Sequence, residues 1–195
     1  MGLFTLEHGK AAYRADFGVY AAVVVGLAAL LLTEGPRDRW VEMLALVVTG
    51  LLGWGVVEYA LHRFVLHGLP PFRGWHAQHH RRPTALINTP TLMSAALIGA
   101  LVFLPAWLLG DAWAACALTL GLSAGYLAYA VTHHATHHWH ADNAWLRQRK
   151  RWHALHHGQT AQPCCFGVTT SYGDHLFGSA WRAARAVPDA AAQRP

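Results

Sequence analysis

The chain has 195 residues, which is enough for one domain with its own hydrophobic core and too few for two. Hydrophobic residues make up 54% of it and charged residues only 13%, and the apolar residues gather in long runs. This composition is typical of a membrane protein and excludes an ordinary soluble domain. We therefore expect residues 1–195 to form a single all-α integral membrane domain.

Four apolar stretches are long enough to cross a bilayer, which needs roughly 20 apolar residues in a helix. They are residues 17–33, 40–61, 92–110 and 112–132. Very short turns join the first stretch to the second and the third to the fourth, which predicts two helical hairpins. We expect these transmembrane helices to be capped by a histidine-rich helical region, residues 62–90 and 133–182, and followed by a disordered tail, residues 183–195.

Positive charge is concentrated on one side of this arrangement. If both termini lie on the side of the 62–90 segment, 13 of the 15 Lys and Arg residues lie there, with Arg37 and Arg39 opposite. The positive-inside rule then makes that side, with the histidine-rich region and both termini, cytoplasmic. We interpret the basic run at 147–151 as a topology signal beside anionic lipid, and we expect no nucleic-acid partner.

Thirteen of the fifteen histidines fall in four short groups. The pattern His-x-x-His-His occurs twice, at 76–80 and at 153–157. On a helix, positions i, i+3 and i+4 lie on one face, so each copy can present three imidazoles together. His133 and His137 are likewise one turn apart.

His62 and His67 are five positions apart, which turns the second side chain about 140° from the first on an α-helix. We expect a helix break or a curved tail near His67 to bring both rings inward, and Gly68 and the two prolines at 70 and 71 would supply the break.

All four groups face one volume if the predicted topology is right. A structural zinc takes four ligands and a catalytic zinc three, so ten or more convergent histidines predict two metals, and about five nitrogens on each would use ten. Imidazole suits Fe, Cu, Ni and Zn, so ligand type alone does not name the metal. A metal-free cluster of surface histidines is the weaker interpretation. His134 and His138 lie about 100° around the helix from His133 and His137, so we expect them outside the metal positions. His8, His140 and His175 are expected bystanders.

The order of these motifs resembles the fatty acid hydroxylase and sterol desaturase superfamily of membrane di-metal oxygenases, and most of all its fatty acid 2-hydroxylase branch. The segments that carry the resemblance are "EYALHRFVLH" at 58–67, "HAQHH" at 76–80, "GYLAYAVTHHATHH" at 125–138, "WHALHH" at 152–157 and "FGVTTSYGDHLFGS" at 166–179. The tail segment departs from the family pattern because Gly173 precedes Asp174 where tryptophan is usual.

The resemblance implies ten metal ligands. They are His62, His67, His76, His79, His80, His133, His137, His153, His156 and His157. It also implies hydroxylation of a lipid acyl chain by two iron ions and O2, at C2 of a fatty acid or ceramide-like lipid. Zinc has no redox chemistry, so we would interpret zinc in a purified sample as a substitute. No cytochrome b5-like domain precedes the membrane part, so we expect a separate electron-transfer protein.

Two carboxylates are candidates for supporting the ligands. Glu58 stands one helical turn before His62 and is expected to accept its ring N–H, with an ion pair to Arg63 as the alternative. Asp174 is expected either to hold a ligand from the tail side or to cap a helix. Tyr126 and Tyr129 could line an acyl tunnel, but we favour a position in the membrane interface.

Two other functions remain open. A carotenoid or sterol hydroxylase or desaturase of the same superfamily is the nearer alternative, because "HRFVLHG" followed by "HAQHH" also resembles bacterial carotenoid hydroxylases. A membrane metal-binding or transport protein is more remote, since transporters place ionisable ligands near the bilayer midplane and these histidines lie beyond the helix ends.

Overall fold

The computed structural model describes residues 7–158 and 163–181, and within these ranges the chain is helical with no strand. The α-helices are α1 Lys10–Glu34, α2 Trp40–Ala60, α3 Phe72–Arg81, α4 Thr91–Ile98, α5 Leu104–Leu109, α6 Ala112–His138, α7 Ala144–His157 and α8 Tyr172–Leu176. This confirms the predicted all-α class. The predicted disordered tail, 183–195, lies outside the described residues.

Four helical stretches are long and apolar enough to cross a membrane, as predicted. They are Lys10–Glu34, Arg37–Leu66, Thr91–Leu109 and Ala112–His138. Most side chains of the first three are not buried within the protein. Leu32 is 75% exposed and Leu109 is 90% exposed, which suits helices surrounded by lipid.

Two of these helices are longer than their apolar runs predict. α1 begins at Lys10, before the expected start at residue 17. α6 ends at His138, beyond the expected end at residue 132. The added turns bury Tyr13, Asp16 and Ala135 against other parts of the chain. Tertiary packing therefore extends both helices beyond the hydropathy signal.

π-helical turns interrupt two of the spans. Leu61–Leu66 continues α2, and Gly99–Phe103 joins α4 to α5. The second π turn immediately precedes the turn that contains Pro105. Proline has no N–H and its ring clashes with the carbonyl four residues earlier, so a wider turn accommodates it without breaking the span.

α6 is the central helix and packs against α1, α2 and α5. α2 and α6 approach closely at Gly50 and Gly121, where a Cβ atom on either glycine would meet backbone atoms of the other helix. Below this crossing, Trp54 packs edge-on against Tyr126 with ring centroids 5.2 Å apart. Glycine at the crossing thus lets the helices carrying His62 and His133 lie side by side.

Charged residues join the two interhelical turns at the end opposite the histidines. Arg39 donates to Asp111 and to Glu42, at 2.5 Å and 2.7 Å. Asp111 also caps α6 by accepting from Ala114 N at 2.9 Å. The cap determines where α6 begins, whereas exposed ion pairs of this kind add little stability.

Candidate metal centre

The ten histidines named from the sequence meet in two clusters of five. The first histidine cluster comprises His62, His67, His76, His80 and His156, and the second comprises His79, His133, His137, His153 and His157. Within each cluster, one ring nitrogen from every member lies within 4.8 Å of the others. Five convergent nitrogens in each group match the predicted count for two metal ions.

The π turn at the end of α2 brings His62 and His67 together. His67 N donates to His62 O at 3.2 Å, an i to i+5 hydrogen bond, and the two ring centroids lie 5.2 Å apart. Of the two expected alternatives, a break near Gly68 is therefore not what aligns them, and the curved end of the helix is. A wider turn places residues five apart on one side of the helix, which an α-helix would not do.

Each His-x-x-His-His motif contributes to both clusters. In α3, His76 and His80 belong to the first cluster and His79 to the second. In α7 the pattern is reversed: His156 belongs to the first cluster, and His153 and His157 belong to the second. Positions i+3 and i+4 point about 100° apart, so one helix lying between the two clusters contributes to both.

Backbone carbonyls orient two rings of the first cluster. Phe166 O lies 2.5 Å from His62 Nδ1, and Cys164 O lies 2.9 Å from His156 Nδ1. A carbonyl only accepts, so Nδ1 of each ring carries the proton and Nε2 presents a lone pair. Both lone pairs point into the first cluster.

The Nε2 atoms of the first cluster are too close together to be explained by hydrogen bonds among themselves. His76 Nε2 lies 3.0 Å from both His62 Nε2 and His80 Nε2, and His156 Nε2 lies 3.1 Å from both His80 Nε2 and His67 Nε2. A neutral imidazole nitrogen either donates once or accepts once, so these contacts cannot all be hydrogen bonds. Two ligands at right angles, each about 2.1 Å from one metal, lie about 3 Å apart. The donor set fits a metal ion.

The second cluster has the same spacing. His133 Nε2 lies 3.1 Å from His79 Nε2, and His153 Nε2 lies 2.8 Å from His137 Nε2. Both ring nitrogens of His157 are buried and have no hydrogen-bond partner among the described residues. A buried polar atom without a partner is costly, and a metal ion would bind the nitrogen that faces the cluster.

Burial keeps these imidazoles neutral. It lowers the pKa of His67 to about 4, and together with neighbouring histidines it lowers the pKa of His79 to about 3 and of His156 to about 2. Metals bind the neutral ring, so the site is ready for a metal at neutral pH.

Glu58 supports the site without touching a histidine among the described contacts, so the expected bond to His62 is wrong. Its carboxylate accepts from Val168 N at 2.5 Å, Thr169 N at 2.9 Å and Thr169 Oγ1 at 2.6 Å. The expected alternative, an ion pair with Arg63, is also not formed; Arg63 donates to Tyr59 OH. The 164–169 loop contacts both Glu58 and His62. Its N–H groups donate to Glu58, and the carbonyl of Phe166 makes the hydrogen bond to His62 that was expected of Glu58.

Asp174 holds the other half of the same loop. It is fully buried and accepts from Phe166 N, Gly167 N and Ser179 Oγ, each at 2.8 Å. Among its described contacts it therefore neither touches a histidine of the clusters nor caps a helix. The unusual Gly173 beside it is explained by Tyr59, whose ring carbons lie 2.8 Å from where a Cβ would stand.

Tyr126 and Tyr129 face the inside of the protein, which supports the tunnel-lining alternative over the interface position that we favoured. Tyr126 is 7% exposed and packs against Tyr20 with ring centroids 4.3 Å apart. Tyr129 stacks on His133 with an interplanar angle of 8°. Both line an internal cavity instead.

This cavity has a volume of about 200 Å³, and both apolar side chains and histidines of the two clusters line it. Its apolar wall includes Trp54, Met93 and Leu97, and four histidines line it. These histidines are His62 and His76 from the first cluster and His79 and His133 from the second. An apolar chain in the cavity would lie beside both metal positions.

The remaining histidines lie outside the clusters. His134 and His138 stack on each other 4.5 Å apart on another face of α6, and His175 stacks on Trp152. Sequence reasoning did not single out Asp16, a buried carboxylate in the cavity wall. Its one signal was an acidic residue at the start of a long apolar run.

Comparisons with known proteins agree with this geometry. The family model described as fatty acid hydroxylase matches residues 47–179. A dihydroceramide fatty acyl 2-hydroxylase of Arabidopsis thaliana is 30% identical over 149 residues, covering 69% of this chain and 60% of that protein. The fatty acid 2-hydroxylase of Rattus norvegicus is 32% identical over 147 residues, covering 69% of this chain and 39% of that protein. The chain thus spans about 60% or less of the length of these relatives.

One solved structure has the same fold. It is described as full-length scs7p with only its hydroxylase domain visible, and it aligns with a TM-score of 0.73 at 24% identity. The alignment covers 88% of this chain and 67% of that one.

Proposed function

Because the chain belongs to the fatty acid hydroxylase family, we propose that it is a membrane-bound, non-haem di-iron oxygenase that hydroxylates a lipid acyl chain. The reaction would occur at C2 of a fatty acid or ceramide-like lipid. The observation that carries this proposal is the apolar cavity lined by members of both histidine clusters.

The two clusters would each hold one iron ion through five imidazole nitrogens. When bound, the iron pair supplies the O2 binding and electron-transfer steps that oxidation of an unactivated C–H bond requires and that acid–base side chains lack. Zinc is redox-inert, so it could occupy the same nitrogens without supporting turnover.

The chain's own residues would position both partners of the reaction. Phe166 O and Cys164 O hold the protons on Nδ1 of His62 and His156, which fixes the rings that face the first metal position. Trp54, Met93 and Leu97 would exclude water and hold the acyl chain beside the clusters.

The membrane setting completes the proposal. The histidine-rich end and both termini would lie on the cytoplasmic side, as the distribution of basic residues predicts. A separate electron-transfer protein on that side would supply reducing equivalents. The names of the relatives support an acyl-chain substrate over a carotenoid or a sterol.

The test compares lipids from cells that express the wild type, His156→Ala or His138→Ala and are grown with isotope-labelled O2. His156 belongs to the first cluster, whereas His138 is exposed on the same end of the molecule and belongs to neither. We expect mass spectrometry to find a labelled 2-hydroxy acyl product in the wild type and His138→Ala, and a loss of at least about 100-fold in His156→Ala. Purified wild type should hold two metal ions per chain.

Other labelled products would contradict parts of the proposal. Label in a carotenoid or sterol, with acyl lipids unchanged, would refute the substrate class. Equal product from both variants would refute the role of the first cluster.

A further inference from the structure

A buried carboxylate lies in the wall of the cavity that reaches the histidine clusters. Asp16 is 2% exposed and lies in α1, inside a stretch long and apolar enough to span a membrane. An ionisable side chain inside such a span is expensive to bury, and it is usually kept for a function. The metal-ligand assignment does not use Asp16.

The neighbours of Asp16 define its hydrogen-bonding character. Thr91 Oγ1 donates to Asp16 Oδ1 at 2.6 Å, and Asn88 Nδ2 donates to Asp16 Oδ2 at the longer distance of 3.3 Å. Both partners donate, so the carboxylate acts as an acceptor. Each carboxylate oxygen has about two lone-pair sites, so both oxygens can accept a further donor.

Asn88 presents a second free acceptor beside the first. Its amide must turn Nδ2 toward the carboxylate, because two acceptors would repel each other. Asn88 Oδ1 is then left buried, with no hydrogen-bond partner among the described residues. Asp16 and Asn88 both line the cavity that His62 and His133 also line.

We propose that Asp16 and Asn88 bind the polar end of the lipid substrate, and that they select acyl lipids bearing hydroxyl or amide N–H donors over free fatty acids. Two adjacent acceptors, one of them anionic, attract donors and repel a carboxylate. The inference rests on the proposed function. C2 adjoins the acyl carbonyl, so a lipid oxidised there must place its polar end in the cavity that the metals share.

The experiment measures equilibrium binding of radiolabelled lipids to the purified full chain in neutral detergent. The protein is loaded with zinc so that no turnover occurs. The probes are octanoyl dihydrosphingosine, octanoate and methyl octanoate, which share one acyl chain. They differ in donors and charge, and the first also carries the sphingoid alkyl chain, so the change in preference between variants is the readout. The variants are Asp16→Asn, Asn88→Ala and Thr91→Val.

We expect the wild type to bind octanoyl dihydrosphingosine at least about tenfold more tightly than octanoate. Asp16→Asn should reduce that preference about tenfold, because it removes the negative charge, and should leave methyl octanoate binding unchanged. Asn88→Ala, a loop substitution, should weaken only the dihydrosphingosine probe. Thr91→Val removes a bond that joins α1 to α4 but keeps the carboxylate, so it should preserve the wild-type preference.

An unchanged preference in both Asp16→Asn and Asn88→Ala would overturn the inference. So would an equal loss in Thr91→Val, which would make Asp16 a purely structural tie. Labelled-product analysis in cells separates this result from the proposed function. Hydroxylated product without dependence on Asp16 or Asn88 refutes only the inference, whereas Asp16-dependent binding without any product refutes only the reaction.

Discussion

At the scale of single residues, two carboxylates orient histidines of the first cluster from a distance. Glu58 and Asp174 hold successive backbone N–H groups of one loop, and the carbonyls of that loop hold His62 and His156. The arrangement satisfies buried backbone donors and fixes two imidazole tautomers at once. A carboxylate can therefore affect metal binding without contacting a ligand.

Glu58→Ala should weaken metal binding at the first cluster by about 10- to 100-fold, because it leaves the N–H groups of Val168 and Thr169 without an acceptor. Competition with a chelator measures the affinity. Glu42→Ala is the matched control, since Glu42 is an exposed carboxylate at the opposite end of the molecule. Equal affinities in the two variants would show that the loop does not depend on Glu58.

At the scale of elements, the crossing of α2 and α6 determines how closely the ligand-bearing helices approach. A Cβ at Gly121 would meet backbone atoms of Val47 and Leu51, which cannot rotate away as a side chain can. By contrast, Gly53 on α2 has open space where a Cβ would stand. Two glycines in neighbouring helices therefore have different physical roles.

Gly121→Ala should destabilise the protein by about 1–3 kcal/mol through overpacking. Gly53→Ala should leave stability unchanged or raise it by up to about 1 kcal/mol, because alanine favours the helix. Melting temperatures of the two variants in the same detergent test this pair. Similar shifts in both would contradict a close crossing at Gly121.

At the scale of the whole molecule, histidines from the end of the second span and from α3, α6 and α7 meet in the two clusters. Metal ions bound there would stabilise the folded protein by linking four elements, and their removal would leave many buried imidazoles without partners. We expect chelation to lower the melting temperature.

The chelated protein should also lose stability in acid. The folded-state pKa of His67 is about 4, below its ordinary 6.5, so the unfolded chain binds more protons between these values. Stability is greatest above pH 6.5 and falls as the pH drops toward 4; His79, with a pKa of about 3, extends the loss further. Thermal melts from pH 7 to pH 4 measure it, with the metal-loaded protein as reference. A constant melting temperature across this range would contradict burial of neutral rings.

The sequence by itself determined the all-α class and the four apolar helices, and its resemblance to a known family named the ten histidines that cluster. Apolar runs and i, i+3, i+4 spacing are local properties, and a helix keeps them in any tertiary setting. The π turn was not predicted from spacing. A separation of five residues between His62 and His67 indicated only that an α-helix could not continue unchanged there. Similarly, the polar residues before 17 did not indicate helix, since their helical structure depends on packing.

Only the tertiary structure decided how the histidines divide between two clusters and which groups support them. Glu58 and Thr169 are 111 positions apart, and Asp16 and Thr91 are 75 apart. Nothing near these residues in the chain encodes their partners. Buried hydrogen bonds form between whichever donors and acceptors packing brings together, so these partners were determined only when the helices assembled.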